Sequence, residues 1–214
     1  LHVERLPVMA AKRVDLVEAL SSDNQFWRMT AQRLLVESGN MDVLPDLYDL
    51  IRESKSGQAS QNYAATHALW VLDGLKVIQS GNEAFKVASD ALKHPSPAVR
   101  KAAIEILSSI QWTEKAIIDS GILDDPDPNT RLAAILSLVK VASSAALGEK
   151  LLSISNEEDV RSDNWLAKAV YVAAARHRKG FSDAFIKANP GFRPGDTETK
   201  REAVAFDDSN WKTM

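Results

Sequence analysis

The chain of 214 residues is 45% hydrophobic and 26% charged, with a net charge of −3. That composition excludes a disordered polymer and offers no general electrostatic attraction for nucleic acid. With no cysteine, it also excludes a disulfide framework, a thiol nucleophile, a cysteine zinc site, an iron–sulfur cluster and a covalent c-type haem site within these residues. The 29 Ala and 22 Leu far outnumber the 9 Gly and 8 Pro, so an all-α chain with short connections is expected. The chain starts at Leu1, which reads as a processed product or a piece of a longer protein. Its longest wholly apolar run, Ala169–Ala175, is seven residues. A membrane helix needs about 20, so no membrane insertion of this segment is expected.

In chain order, apolar residues recur at helical spacing. Leu16 and Leu20 come first, followed by Ala31, Leu34 and Leu35, then Val43, Leu44, Leu47, Leu50 and Ile51. After the polar stretch 53–61 come Ala65, Ala68, Leu69, Leu72 and Leu75, then Phe85, Ala88, Ala91 and Leu92. Each stretch lasts roughly three turns before Gly, Asn, Pro or Ser interrupts it, which is the rhythm of helical hairpins.

An internal repeat gives this rhythm a register. Pro95, Pro97, Arg100, Ala102, Ala103, Ile104 and Leu107 recur as Pro126, Pro128, Arg131, Ala133, Ala134, Ile135 and Leu138, always 31 residues on. In each copy Ser96 or Asp127 is placed to cap a helix, Pro97 or Pro128 to open it, and the small Ala residues to let a neighbouring helix approach. Arg100 and Arg131 fall within a turn of a helix N-terminus, where the helix dipole disfavours a cation. A carboxylate from the neighbouring repeat is therefore expected beside them. Weaker copies place Asn24 and Arg28 at the cap and Arg positions, and Asn164 and Lys168 at the same two places; 64–72 keeps the Ala/Leu spacing without the Arg. First helices are thus predicted near 24, 61, 96, 127 and 164, and second helices at 41–53, 82–93, 113–122, 145–154 and 181–188. Two helices per unit of 31–37 residues describe an α-solenoid.

The motifs Ser-Pro-Ala-Val-Arg-Lys-Ala-Ala (96–103) and Asp-Pro-Asn-Thr-Arg-Leu-Ala-Ala (127–134) resemble HEAT repeats of the short PBS-lyase type. That resemblance implies an armadillo-like α-α superhelix, Asp–Arg ladders between repeats and a curved surface for protein partners. The ladder residues it implies are Arg28, Arg100, Asp125, Asp127 and Arg131. The segments 20–35 and 67–75 resemble the HEAT region of bacterial extracytoplasmic multidomain proteins of the membrane-bound dehydrogenase type. In those, a sugar-dehydrogenase-like propeller precedes the repeats and a cytochrome c module can follow, which implies a periplasmic or extracellular setting. Residues 205–214 look like the opening of a β-sandwich module found in glycosidases and sialate esterases, after a linker at 190–201 rich in Gly, Pro and charge.

Other constellations are set against plainer readings. The four histidines, His2, His67, His94 and His177, include no pair at metal-ligand spacing. His67 and Trp70 share a helix face and are the candidates for a groove, although an interior, hydrogen-bonded His beside a core Trp is the preferred reading. The acidic turn 124–127 lacks the alternation and Gly of a calcium loop and reads as caps and Arg partners. Asn156–Asp159 reads as a solvated loop between repeats. Trp27 with Phe26, Trp70, Trp112 and Trp165 are expected to pack in the core, and Trp211 lies outside the repeats. The basic run 176–179 is expected to end a helix before Gly180. No phosphate loop, nucleophile elbow, zincin or dinucleotide motif occurs.

The expectation is an all-α superhelix of about five HEAT-like hairpins over 1–189, followed by a tail at 190–214. It is expected to bind no cofactor, metal or nucleic acid. Its expected role is a non-catalytic scaffold whose second-helix face docks a protein or a neighbouring domain of the same polypeptide. The alternative is an accessory domain that shapes a carbohydrate or redox active site in a dehydrogenase-like protein.

Overall fold

The computed structural model describes residues 13–53, 62–108 and 114–191. The expectations for 192–214, for Trp112 and Trp211 and for His2 fall outside the described residues. Within them the chain is all-helical, with no strand.

The helices are α1 (Arg13–Ala19), α2 (Gln25–Ser38), α3 (Leu44–Glu53), α4 (Tyr63–Gly74), α5 (Glu83–Asp90), α6 (Pro97–Leu107), α7 (Glu114–Ser120), α8 (Pro128–Ser137), α9 (Ala145–Ser155), α10 (Glu158–Ser162), α11 (Asn164–Arg176) and α12 (Arg178–Ala188). Short 3-10 turns at Met41–Val43, Ala91–Lys93, Ile122–Asp124 and Leu138–Lys140 tighten the connections.

Local chemistry sets these boundaries. Asn24, Asn82, Asp127, Ser144 and Asp163 each cap a helix by accepting hydrogen bonds from backbone N–H groups of its first turn. Those donors have no partner within the helix itself. Gly39 closes α2 in the left-handed region, at φ 61°, where a Cβ would be strained. Two caps differ from the sequence reading. Asp163, one residue before Asn164, caps α11 because its carboxylate reaches both Trp165 N and Leu166 N. Ser96 precedes α6 but makes no side-chain cap; its buried Oγ lacks a partner, while its N–H donates to His94 Nδ1 at 3.0 Å.

The helices that open successive units lie side by side: α2 packs on α4, α4 on α6, α6 on α8 and α8 on α11. The second helices rest on the first helix that follows them, α3 on α4, α5 on α6 and α9 on α11. One continuous apolar core runs between the layers. Leu35, Leu47, Leu69, Leu72, Leu107, Ile135 and Leu147 are fully buried within it. Ala65, Ala68, Ala102, Ala103 and Ala134 are buried as well, and small residues there bring backbones close.

Two sequence expectations are corrected in the last third of the chain. The run 176–179 does not end a helix before a terminal glycine: Arg176 ends α11, whereas Arg178, Lys179 and Gly180 all lie in α12. Gly180 is buried where α12 crosses α9. A Cβ there would collide with the Ala145 backbone, and one at Gly148 would collide with the backbones of Phe181 and His177. The two glycines face one crossing. In the second correction, Asn156–Asp159 is not simply a loop, because α10 begins at Glu158 and two carboxylates of this stretch, Glu157 and Asp159, hold Arg131.

Candidate functional site

Three arginines occupy the same place in their helices. Arg28, Arg100 and Arg131 are each the fourth residue of α2, α6 and α8. Each guanidinium reaches back to a backbone carbonyl of the preceding turn. Arg28 Nη1 donates to Ser22 O at 2.6 Å, Arg100 Nη1 to His94 O at 2.9 Å and Arg131 Nε to Leu123 O at 2.9 Å.

Beyond that shared bond the three differ. Arg100 grips Asp125 bidentately, Nε to Oδ2 at 2.6 Å and Nη2 to Oδ1 at 2.8 Å, which raises the guanidinium pKa above its usual value. Arg131 holds two carboxylates, Asp159 at 2.9 Å and Glu157 at 2.5 Å. Asp127 is engaged elsewhere: it accepts from Thr130 N and Thr130 Oγ1, both at 2.8 Å, as the α8 cap. Arg28 has no carboxylate among the described residues. The Tyr63 ring lies 4.2 Å from its Cζ, and its buried Nε has no acceptor.

This odd position opens the seam between α2 and α4. Down the seam, Tyr63, His67, Trp70 and Gly74 line the α4 side at i, i+4, i+7 and i+11, a single helical stripe. Opposite them stand Arg28, Gln32 and Val36 of α2. Gly74 admits Val36, because a Cβ there would clash with the Val36 side chain. His67 Nδ1 meets Gln32 Oε1 at 2.6 Å. Bonding a carbonyl oxygen puts the ring hydrogen on Nδ1. Burial, and secondarily the nearby Arg28 charge, hold the His67 pKa below its usual value, so the ring is neutral at pH 7.

Above these rungs lies an open groove of about 750 Å³, lined by Phe26, Met29, Arg33, Val36, Trp70 and Asp73 among others. Arg33 is tied to Glu37 at 3.1 Å. A second groove of about 340 Å³ separates α6 from α8, flanked by Lys101, Glu105, Leu136 and Lys140. The sequence-level pair His67 and Trp70 thus comes together at one seam, with Trp70 on the groove and His67 one turn away beneath it.

The tryptophans depart from the core expectation. Trp165 is 73% exposed and Trp70 39%, and Phe26 stands out from α2 with Trp27 packed edge-on at 5.2 Å. Tyr171, Val172, Leu136 and Val139 are exposed too. Most of the large exposed apolar side chains therefore sit on or directly after first helices, whereas the sequence reading placed the docking face on the second. Helical periodicity told which residues are apolar, but not which of two apolar sides faces water.

The buried histidines were not legible as structural parts. His177 Nδ1 accepts from Ser144 N and its Nε2 lies 3.0 Å from Leu138 O, so one ring ties the α8 end to the α9 start. Among the described residues no group of three His, Cys, Asp or Glu is placed to hold a metal, and no helix is long and apolar enough to cross a membrane. No family model matches the chain, and neither curated proteins nor solved structures provide a match.

Proposed function

We propose that the chain is a non-catalytic α-solenoid scaffold of five HEAT-like hairpins that docks a protein or a neighbouring domain of a larger polypeptide. The observation that carries this reading is the set of exposed apolar side chains on first helices, Phe26 and Met29 on α2, Trp70 on α4, Leu136 on α8, and Trp165 and Tyr171 on α11. Large apolar side chains gathered on one set of helices suit an interaction face. Several polar groups support the same reading, because they are occupied in holding helices together: Arg100 and Arg131 on their carboxylates, Asp127 on a cap and His177 on two backbone groups. The side-by-side first helices, with second helices resting across them, are the contacts a stack of hairpins requires. The docking face of this scaffold is the first-helix side.

A photo-crosslinking amino acid placed at Tyr171 or Leu136, and for comparison at Ile118 on α7, tests this in the parent protein. One discrete partner or domain crosslinked from the first-helix positions, and reconstituted with purified components, is the expected result. Equal or absent crosslinking from all three positions refutes it. Turnover by the isolated chain on any substrate, lost on mutation of a residue at the seam, would refute the non-catalytic part.

A further inference from the structure

Arg28 is a buried cation with no carboxylate partner among the described residues. It is 6% exposed, makes one hydrogen bond to Ser22 O, and leaves a buried Nε without an acceptor. Its two equivalents show what such a guanidinium ordinarily holds. Arg100 and Arg131 take carboxylates from the stretch that precedes the next first helix, 25 residues on at Asp125 and 26 and 28 residues on at Glu157 and Asp159. The same 25-residue step from Arg28 reaches Glu53, the exposed last residue of α3, which makes no ion pair with Arg28, and the stretch 54–62 beyond it contains no Asp or Glu. Arg28 keeps the receptor position, with no carboxylate on it among the described residues.

We propose that Arg28, at the α2–α4 seam, is the receptor for an Asp or Glu carboxylate of a docked protein partner, whose adjoining apolar side chain enters the groove of Phe26, Met29 and Trp70. The inference rests on the scaffold reading and names the chemistry that one seam of it recognises. Tyr63 holds the place: as the first residue of α4, partly exposed, its ring covers the guanidinium through a cation–π contact that a carboxylate outcompetes. Gln32 joins the two halves of the site, since it lines the groove and also holds His67, one turn along from Arg28.

The ligand is a carboxylate and not a phosphate because the site offers a single guanidinium, beside the Tyr63 ring and a neutral imidazole, which matches a monoanion.

The test uses the whole chain and three small probes that share a ring, followed through the NMR signals of the His67 imidazole and the Trp70 indole. 3-Phenylpropionate supplies a ring and a carboxylate, 3-phenylpropionamide the ring with a neutral head, and phenyl phosphate the ring with a dianion. The expected result is that the acid binds about 10-fold more tightly than the amide, the factor a charged hydrogen bond contributes, and more tightly than the phosphate. Arg28→Met is expected to erase the acid-over-amide preference. Tyr63→Glu, which places a carboxylate over Arg28 from within the chain and alters an exposed position, is expected to erase it too and keeps the test open if the first variant does not fold. Equal binding of acid and amide, tighter binding of phenyl phosphate, or unmoved His67 and Trp70 signals each overturn the proposal. If Arg28→Met keeps the partner crosslinks from Tyr171 and Leu136 at full yield, the carboxylate receptor is refuted while the scaffold stands.

Discussion

Replacing Arg131 by Met removes a guanidinium and keeps a stem of similar length, so the loss is that of the head group alone. Three bonds disappear. The first, to Leu123 O, leaves a carbonyl on a residue that is 1% exposed without its donor, which costs about 1–2 kcal/mol. The other two release Glu157 and Asp159, whose side chains are 37% and 67% exposed. These carboxylates turn to water, so each contact is worth no more than about 1 kcal/mol. The sum is about 1–4 kcal/mol, and with a urea slope of about 2–3 kcal/mol per molar the midpoint falls by roughly 1 M. Circular dichroism at 222 nm across a urea series measures it. Arg131→Lys, which keeps the charge and loses the fork, should fall between the two. Arg28→Met serves as the internal control: its head group has no carboxylate to lose among the described residues, so its stability should fall by less than about 1 kcal/mol, the lost bond to Ser22 O and the lost Tyr63 ring contact being partly offset by relief of the unpaired nitrogen. If Arg131→Met shifts the midpoint no more than Arg28→Met at unchanged slope, the account of these arginines is wrong.

Further outcomes follow from other sites. Gly180→Ala should destabilise by about 2–3 kcal/mol despite the better helix propensity of Ala, because its Cβ meets α9 backbone that cannot yield; thermal unfolding reads it. Gly74→Ala, whose Cβ meets only the Val36 side chain, should cost less in the same assay. Asp127→Ala should lose about 1–2 kcal/mol, since both Thr130 N and Thr130 Oγ1 lose their acceptor. His67 has a folded pKa below its unfolded value of about 6.5, so the unfolded chain binds the proton first. Stability should therefore decline as the pH falls below about 6.5 and level off under the folded pKa, and His67→Gln should remove that slope. In an NMR titration, Arg28→Met should move the His67 midpoint upward, because the second cause of the depression is gone.

The starts of the first helices were legible because short-range chemistry sets them. A proline after a capping residue, or an Asn or Asp before an apolar run, fixes a helix N-terminus whatever surrounds it, and the observed starts at Gln25, Tyr63, Pro97, Pro128 and Asn164 lie within two residues of the sequence positions. The repeated Arg was legible as a cation needing a partner. The identity of the partner was not: Asp125 and Asp127 differ by two positions, yet one meets Arg100 and the other caps its own helix. Trp165 and Trp70 were misplaced because hydrophobicity reports the cost of exposure and not where the chain runs out of neighbours. Gly148 and Gly180 lie 32 residues apart and acquire meaning only when α9 and α12 cross.

The three arginines also grade the molecule from end to end. Arg28 leans on a ring, Arg100 on one carboxylate and Arg131 on two, and past Arg131 the backbones of α9 and α12 interlock through their glycines. Under a stretching load such a series does not give way all at once. By this grading the α1–α2 end is expected to part at lower force than the α8–α12 end, which single-molecule pulling would read. The proposed partner acid, seated on Arg28, would give that end the counter-charge that Arg100 and Arg131 already have.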